Sequence, residues 1–303
     1  MDFLENIKQT FKRGDVLIKL IFINVGIFFV LNVAKILFTL FNASEIFMPV
    51  LRLLAVPADL HMLLYRFWTP ISYMFLHERF FHILFNMLCL YWFGKIFLSI
   101  FSERHLVGLY FVGGLFGALF YIVAFNIFPF YAEFVPKSIL LGASGSVIAV
   151  IVASATKLPN MEIRLLLLSS LFGGIKLKYI AVAIILMSFF GITSRNGGGE
   201  LAHLGGALAG YLFITLLNKG TDITAWINRI FDAIVNLSKP RKMRVKKVNY
   251  NTTQQTRKMT DEEYNMNKAR NMAEIDRILD KIKESGYDSL TVDEKKCLFE
   301  QRK

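Results

Sequence analysis

The chain has 303 residues, of which 54% are hydrophobic, and a formal net charge of +12. A soluble domain is about 45–50% apolar and lacks long uncharged stretches. This sequence contains several such stretches, so its composition excludes an ordinary soluble protein and predicts a polytopic membrane protein. The two cysteines, Cys89 and Cys297, lie in an apolar segment and in a polar tail, and they offer no disulfide framework.

Six apolar segments are candidate transmembrane helices, since a helix needs about 20 mostly apolar residues to cross a bilayer. In chain order they are 16–41, 80–100, 106–128, 144–156, 179–192 and 201–217, of which the fourth and fifth are short. The first is long enough to span, so we expect a retained helix and not a signal peptide. The predicted fold is an all-α polytopic membrane protein, a six-transmembrane-helix bundle with a small helical cytosolic tail.

Two of the connections between the apolar segments, 42–79 and 161–178, have residue patterns that predict local structure. The 42–79 connection is rich in apolar and aromatic residues and is expected to lie in the membrane interface. Within 161–178, polar and apolar residues alternate on both sides of Gly173 and Gly174. This alternation favours a small hairpin at the membrane face, although 165–168 could instead extend a helix.

The distribution of Lys and Arg predicts the orientation. With six spans both termini share one side, whose short segments carry eight Lys and Arg against five on the other side. The basic run from Lys239 to Lys247 adds six more, so both termini are expected in the cytoplasm. The same run could bind anionic lipid headgroups. Nucleic acid is not an expected partner, because no aromatic-interleaved basic domain accompanies the run.

We therefore expect four regions. They are a cytosolic N-terminus (1–15), a six-helix membrane domain (16–218), a basic juxtamembrane linker (219–259) and a two-helix cytosolic tail (260–303). Two capping boxes, beginning at Thr260 and at Thr291, mark helix starts in the tail.

Four polar side chains lie near the ends of three apolar segments. His82 and Asn86 lie near the start of the second, Ser144 opens the fourth, and His203 lies near the start of the sixth. These segments run in the same direction, so at about 1.5 Å per residue all four lie within about 10 Å of the same ends. Alone, His82 and Asn86 would suit an interhelical hydrogen bond. Together, the four predict a serine nucleophile and a histidine base that meet within the membrane.

Small residues surround the serine and follow the histidine. The serine lies between Gly142 and Gly145, and Gly206 and Gly210 form a small-xxx-small pair. Such residues let helices approach closely, so packing is their expected role. Gly206 and Gly210 would seat the sixth helix on the fourth and bring the histidine to the serine.

A metal site and a transporter are both disfavoured. His77 and His82 are five residues apart, so on a helix they would point roughly 140° apart, whereas the zinc-protease motif needs a spacing of four. The six apolar segments contain no Asp or Glu, and the nearest are Asp15, Glu133 and Glu200. A proton-coupled transporter usually carries an acidic relay. The same absence predicts a serine–histidine dyad without a carboxylate, and we expect no metal and no cofactor.

These residues resemble the motifs of the rhomboid family of intramembrane serine proteases, of the bacterial type. The resemblance covers about 16–217 and rests on three motifs and on an arginine in the first loop. They are Gly142-Ala-Ser-Gly145, Ala202-His203-Leu-Gly-Gly206 with Gly210, His82-Ile-Leu-Phe-Asn86, and Arg66 beside Tyr65, where the family has a Trp-Arg pair.

The resemblance implies roles for individual residues. Ser144 would be the nucleophile and His203 the general base of a serine endopeptidase. His82 and Asn86 would help the Ser144 backbone amide to hold the oxyanion, and Arg66 would anchor the first loop at the lipid interface. The substrates would be transmembrane segments of other proteins, which expose backbone only where helix-breaking residues weaken them.

One departure keeps an alternative open. Some family members carry a tyrosine one turn after the nucleophile, stacked on the catalytic histidine, and Ile148 occupies that position here. The alternative is a catalytically inactive rhomboid-like protein that binds transmembrane clients. The expected location is a bacterial plasma membrane, because the acidic residues near the N-terminus do not suit a transit peptide.

Overall fold

The computed structural model describes residues 15–163, 174–238, 261–291 and 293–295. Its α-helices are α1 (Val16–Leu40), α2 (Phe47–Leu54), α3 (Leu60–Tyr65), α4 (Thr69–Ser72), α5 (Phe80–Leu98), α6 (Glu103–Ile127), α7 (Ser144–Lys157), α8 (Leu177–Gly191), α9 (Gly197–Leu217), α10 (Ala225–Ser238) and α11 (Asp261–Ser285). Two short antiparallel pairs join β1 (Val56–Pro57) to β2 (Ile139–Leu140), and β3 (Glu162–Ile163) to β4 (Ile175–Lys176).

The six apolar segments predicted from the sequence coincide with α1, α5, α6, α7, α8 and α9. By length and composition, four of the described helices could cross a membrane, namely α1, α5, α6 and α9. Helices α7 and α8 are apolar but have only 14 and 15 residues. The chain is therefore a mostly helical, multi-pass membrane protein, and the crossing of all six helices stays a prediction.

Helix α7 lies at the centre of the membrane domain. Every residue from Gly145 to Ala155 is buried. Helices α6 and α9 pack directly against its backbone, because a Cβ on Gly113 would overlap the Ala149 side chain and one on Gly210 would overlap the Ala149 carbonyl oxygen. Small residues on both sides of each contact thus allow the close approach that places α7 inside the bundle.

The connection between α1 and α5 is folded around the end of α2. The Arg66 guanidinium donates to the Arg52 carbonyl (2.8 Å), and the Trp68 indole N–H donates to the Leu53 carbonyl (2.8 Å). The Ser72 hydroxyl donates to the next carbonyl, that of Leu54, at 2.6 Å. Because the last carbonyls of a helix have no partner within it, these three donors stabilise the end of α2.

A buried polar chain joins α1, α6 and the first connection. The Asn24 side-chain amide donates to the Tyr110 hydroxyl (3.1 Å), which donates in turn to the Met74 carbonyl (3.0 Å). All three residues are buried. Nothing in the local sequence predicts this contact, because its partners are 36 and 86 residues apart.

The hairpin predicted within 161–178 is confirmed by the pairing of β3 with β4. The strands are shorter than the alternation suggested, since α8 already begins at Leu177. The alternative of a helix over 165–168 lies outside the described residues.

The first part of the predicted linker over 219–259 contains a helix, α10 (Ala225–Ser238), which the sequence analysis did not predict. Apolar residues at helical spacing explain this helix, and Trp226, Ile230 and Ile234 are about half exposed along it. Arg104 at the start of α6 contacts α10 through a bidentate ion pair with Asp232 (3.1 Å for each contact).

The chain divides into two compact units, Met1–Pro240 and Arg241–Lys303. In the second unit α11 ends at Ser285, directly before Gly286, whose φ of 76° suits a glycine. The capping box at Thr291 is confirmed: its N–H donates to Glu294 Oε2 (2.8 Å), and the Glu294 N–H donates to its hydroxyl (3.4 Å). The box at Thr260 and most of the second tail helix lie outside the described residues.

Candidate active site

Ser144 is the first residue of α7, directly after a sharp turn of the chain. Gly142 makes this turn with a φ of 127°, which disfavours any other residue, and its N–H donates to the Tyr73 carbonyl (3.0 Å). A Cβ at Gly142 would also lie 3.0 Å from His82 Cε1. The first N–H groups of a helix have no partner within it, so the backbone N–H groups at the start of α7, that of Ser144 included, have no acceptor in the helix itself.

Helix α9 brings His203 to this serine. His203 Nε2 lies 2.9 Å from Ser144 Oγ, across 59 residues of sequence. The approach depends on Gly206, where a Cβ would overlap the Gly145 carbonyl oxygen. Both glycines predicted to pack α9 on α7 therefore lie against the α7 backbone, Gly206 one turn after the histidine and Gly210 about two turns after it.

The other ring nitrogen of His203 faces a carboxylate. His203 Nδ1 lies 3.2 Å from Glu200 Oε2 and 3.1 Å from the Ser188 hydroxyl of α8. The sequence predicted no carboxylate beside this histidine, but α9 begins at Gly197, four residues before the predicted start, and so includes Glu200. Residues i and i+3 of a helix are neighbours, so the Glu-x-x-His spacing was the signal that sequence reasoning missed.

His82 and Asn86 lie on one face of α5, as their spacing predicted. The half-buried His82 ring packs against Gly142 and lies within electrostatic range of His203. Asn86 is buried, and its amide nitrogen donates to the His82 backbone carbonyl (2.8 Å). One Asn86 N–H is therefore engaged within its own helix, and its second N–H is the one that a substrate could use.

His77 lies closer to His82 than helical spacing predicted. It precedes α5, so the helical angle does not apply, and the two rings meet edge to face with centroids 5.1 Å apart. Neither nitrogen of the buried His77 makes a hydrogen bond within the part of the chain that the structure describes. Within the described residues there is no group of three or more His, Cys, Asp or Glu side chains suited to a metal ion.

The remaining predicted residues lie apart from the serine. Arg66 bonds the end of α2, which is a structural contact. Ile148 is buried one turn along α7 from Ser144, and apart from Ser144 itself the polar contacts of the His203 ring come from Ser188 and Glu200.

These features define a class of protein, a multi-pass membrane protein whose serine and histidine meet where the glycine-rich helix α9 packs on α7. Comparison with family models narrows the class. Residues 65–220 match the Rhomboid domain, which is slightly more than half of the chain, so the chain belongs to the rhomboid family. Members of this family are generally intramembrane proteases. The resemblance inferred from the sequence motifs is confirmed.

The tail gives a second match. Residues 258–301 match a family of unknown function (DUF6576). Comparison with curated proteins gives no match.

Proposed function

We propose that this rhomboid protein is an intramembrane serine endopeptidase that cuts peptide bonds in or near transmembrane segments of other membrane proteins. The observation that supports this most strongly is the 2.9 Å contact between Ser144 Oγ and His203 Nε2. A serine hydroxyl is a weak nucleophile until a base takes its proton, and this contact lies within the reach that general-base catalysis requires. The chemistry uses no cofactor.

In the first step, Ser144 Oγ attacks the scissile carbonyl while His203 Nε2 takes the hydroxyl proton. The carbonyl oxygen becomes an oxyanion, stabilised by the Ser144 backbone N–H, His82 and the second N–H of Asn86. Removing one such donor typically lowers the rate about 10²–10³-fold. The carbon–nitrogen bond then breaks, and His203 gives its proton to the leaving amine, which leaves an ester on Ser144.

In the second step, water attacks the ester while His203 takes its proton. The carbon–oxygen bond to Ser144 breaks, the serine recovers its proton from His203, and the acid product leaves. The site must therefore admit water. His203 retains about a fifth of its side-chain exposure, which agrees with such a hydrated site.

We place the protein in a bacterial plasma membrane with both termini in the cytoplasm, on the basis of the Lys and Arg distribution. The basic run from Lys239 to Lys247 would contact anionic headgroups. Helix α10, which ends directly before it, supports this placement. Trp226 and Ile230 leave an exposed apolar face typical of a helix lying in the membrane interface.

Labelling with a fluorophosphonate probe tests the nucleophile. The protein is purified in detergent beside Ser144→Ala and His203→Ala, and cleavage of a model transmembrane substrate is followed in liposomes. We expect labelling and cleavage by the parent protein, and neither by the two variants. If the folded parent does neither, the protease proposal fails and the client-binding alternative takes its place.

A further inference from the structure

The carboxylate of Glu200 is held at both of its oxygens. Oε2 lies 3.2 Å from His203 Nδ1, and Oε1 accepts a hydrogen bond from the Asn196 side-chain amide at 3.2 Å. The side chains of Glu200 and His203 are only about 20% exposed. This carboxylate is therefore oriented toward the ring and is not a freely rotating surface group.

The end of α8 provides the space for this side chain. A Cβ on Gly191 would lie 2.9 Å from Glu200 Cγ, so only glycine leaves room there. The turn that follows is fixed by the Tyr131 hydroxyl, which donates to the Ile192 carbonyl at 2.7 Å. Ser188, one turn earlier on α8, is buried and also reaches the ring. Two helices and a fixed turn thus build one pocket around Nδ1.

The chemistry of the contacts determines the histidine tautomer. A carboxylate can only accept hydrogen bonds, so the imidazole proton must lie on Nδ1, where it points to Glu200. Nε2 then carries the lone pair, and that lone pair faces Ser144 Oγ. A negative charge beside Nδ1 also stabilises the imidazolium that forms when His203 takes a proton.

We propose that Glu200 is a positioning residue, which acts through His203 to give a Ser144–His203–Glu200 relay in place of a dyad. The inference rests on the proposed protease function. It also explains how the ring is held when Ile148 occupies the position of the stacking tyrosine.

The test compares cleavage by the full chain in liposomes with that of Glu200→Gln, Glu200→Asp and the control Glu133→Gln. Glu133 is an exposed carboxylate in the connection between α6 and α7. In Glu200→Gln the amide oxygen would accept from Asn196, so the amide N–H₂ would face Nδ1. Because that group can only donate, Nδ1 would have to accept, and the imidazole proton would move to Nε2. Nε2 could then no longer take the Ser144 proton. We expect kcat to fall about 10–100-fold, less than the about 10⁴-fold seen when a buried triad takes the wrong tautomer.

Further readouts separate positioning from mere structural support. KM should change less than about threefold, because Glu200 does not contact substrate. Glu200→Asp, which keeps the charge, should recover part of kcat.

The outcomes are distinct. If the parent protein neither labels nor cleaves, the protease proposal fails before Glu200 is tested. If the parent is active and a folded Glu200→Gln keeps the parent kcat, the relay is refuted. If Glu200→Gln does not fold, Gly191→Ala takes its place as the test, because the added methyl group pushes Glu200 away from the ring. An unchanged kcat in Gly191→Ala again refutes the relay.

Discussion

The carbonyl oxygen of Gly145 occupies the space in which a side chain at Gly206 would begin. One of these residues follows the nucleophile directly, and the other lies one turn after the histidine. The distance between Ser144 and His203 is therefore set by a contact between two backbones. Nothing at this contact can yield as a flexible side chain would.

Adding a single methyl group at this contact should disable the site. In Gly206→Ala the two helices must separate, at a cost of about 1–3 kcal/mol in unfolding free energy. A displacement of about 1 Å between reacting groups can lower a rate about 10²-fold, so the fluorophosphonate labelling rate should fall by about that factor. Gly26→Ala is the matched control, because a Cβ at Gly26 meets nothing within 4 Å. Full labelling of folded Gly206→Ala would contradict this account.

Arg66 should matter for stability and not for chemistry. Arg66→Ala removes the donor to the Arg52 carbonyl, and we expect the free energy of unfolding to fall by about 1 kcal/mol. Thermal unfolding in detergent measures this loss. The exposed Lys137→Ala is the control and should stay within about 0.5 kcal/mol. A folded Arg66→Ala that no longer labels would instead place Arg66 in the catalytic machinery.

The buried chain from Asn24 to Met74 should be sensitive to the loss of one hydroxyl. Tyr110→Phe removes the donor to the Met74 carbonyl and leaves the Asn24 amide with its hydrogen bond to the Leu20 carbonyl. We expect a loss of about 1–3 kcal/mol. Reversible unfolding in mixed micelles measures it. Tyr211→Phe, on the exposed side of α9, should change stability by less than about 0.5 kcal/mol. Equal effects of the two substitutions would mean that the hydrogen bonds from Asn24 to Met74 contribute nothing to the free energy of unfolding.

His77 should make the fold sensitive to mild acid. Burial, and secondarily the neighbouring His82, lowers the pKa of His77 from 6.5 to about 4. Above pH 6.5 the imidazole is neutral in both states, and its contribution to stability is fully present. As pH falls from 6.5 to 4 the unfolded chain binds a proton that the folded chain does not, so stability falls by at most about 3 kcal/mol.

Melting temperatures between pH 4 and 7.5 measure this effect. His77→Phe should flatten the profile over that window without loss of stability at pH 7.5, because no hydrogen bond of the ring nitrogens is lost within the described residues. His61→Phe, at an exposed position in α3, is the control and should keep the parent profile. A parent profile that is already flat would show that His77 is not buried as a neutral group.

The sequence alone predicted the features that depend on local composition. Runs of apolar residues located all six bundle helices, since a bilayer demands length and hydropathy of each segment separately. Polar residues at the ends of three runs identified Ser144, His203, His82 and Asn86, because such residues are costly in lipid whatever surrounds them. Alternation around two glycines indicated the β3–β4 hairpin.

The tertiary structure alone decided how these elements meet. The pairing of Ser144 with His203 depends on the rotation and depth of α7 and α9, which contacts such as Gly145 with Gly206 determine across 61 positions of sequence. The Glu200 carboxylate depends on where α9 begins. Its first turn is glycine-rich and polar, and hydropathy marks only the apolar part of a helix. Packing between distant segments is not encoded in any local pattern, so the contacts around His203 became visible only in the folded chain.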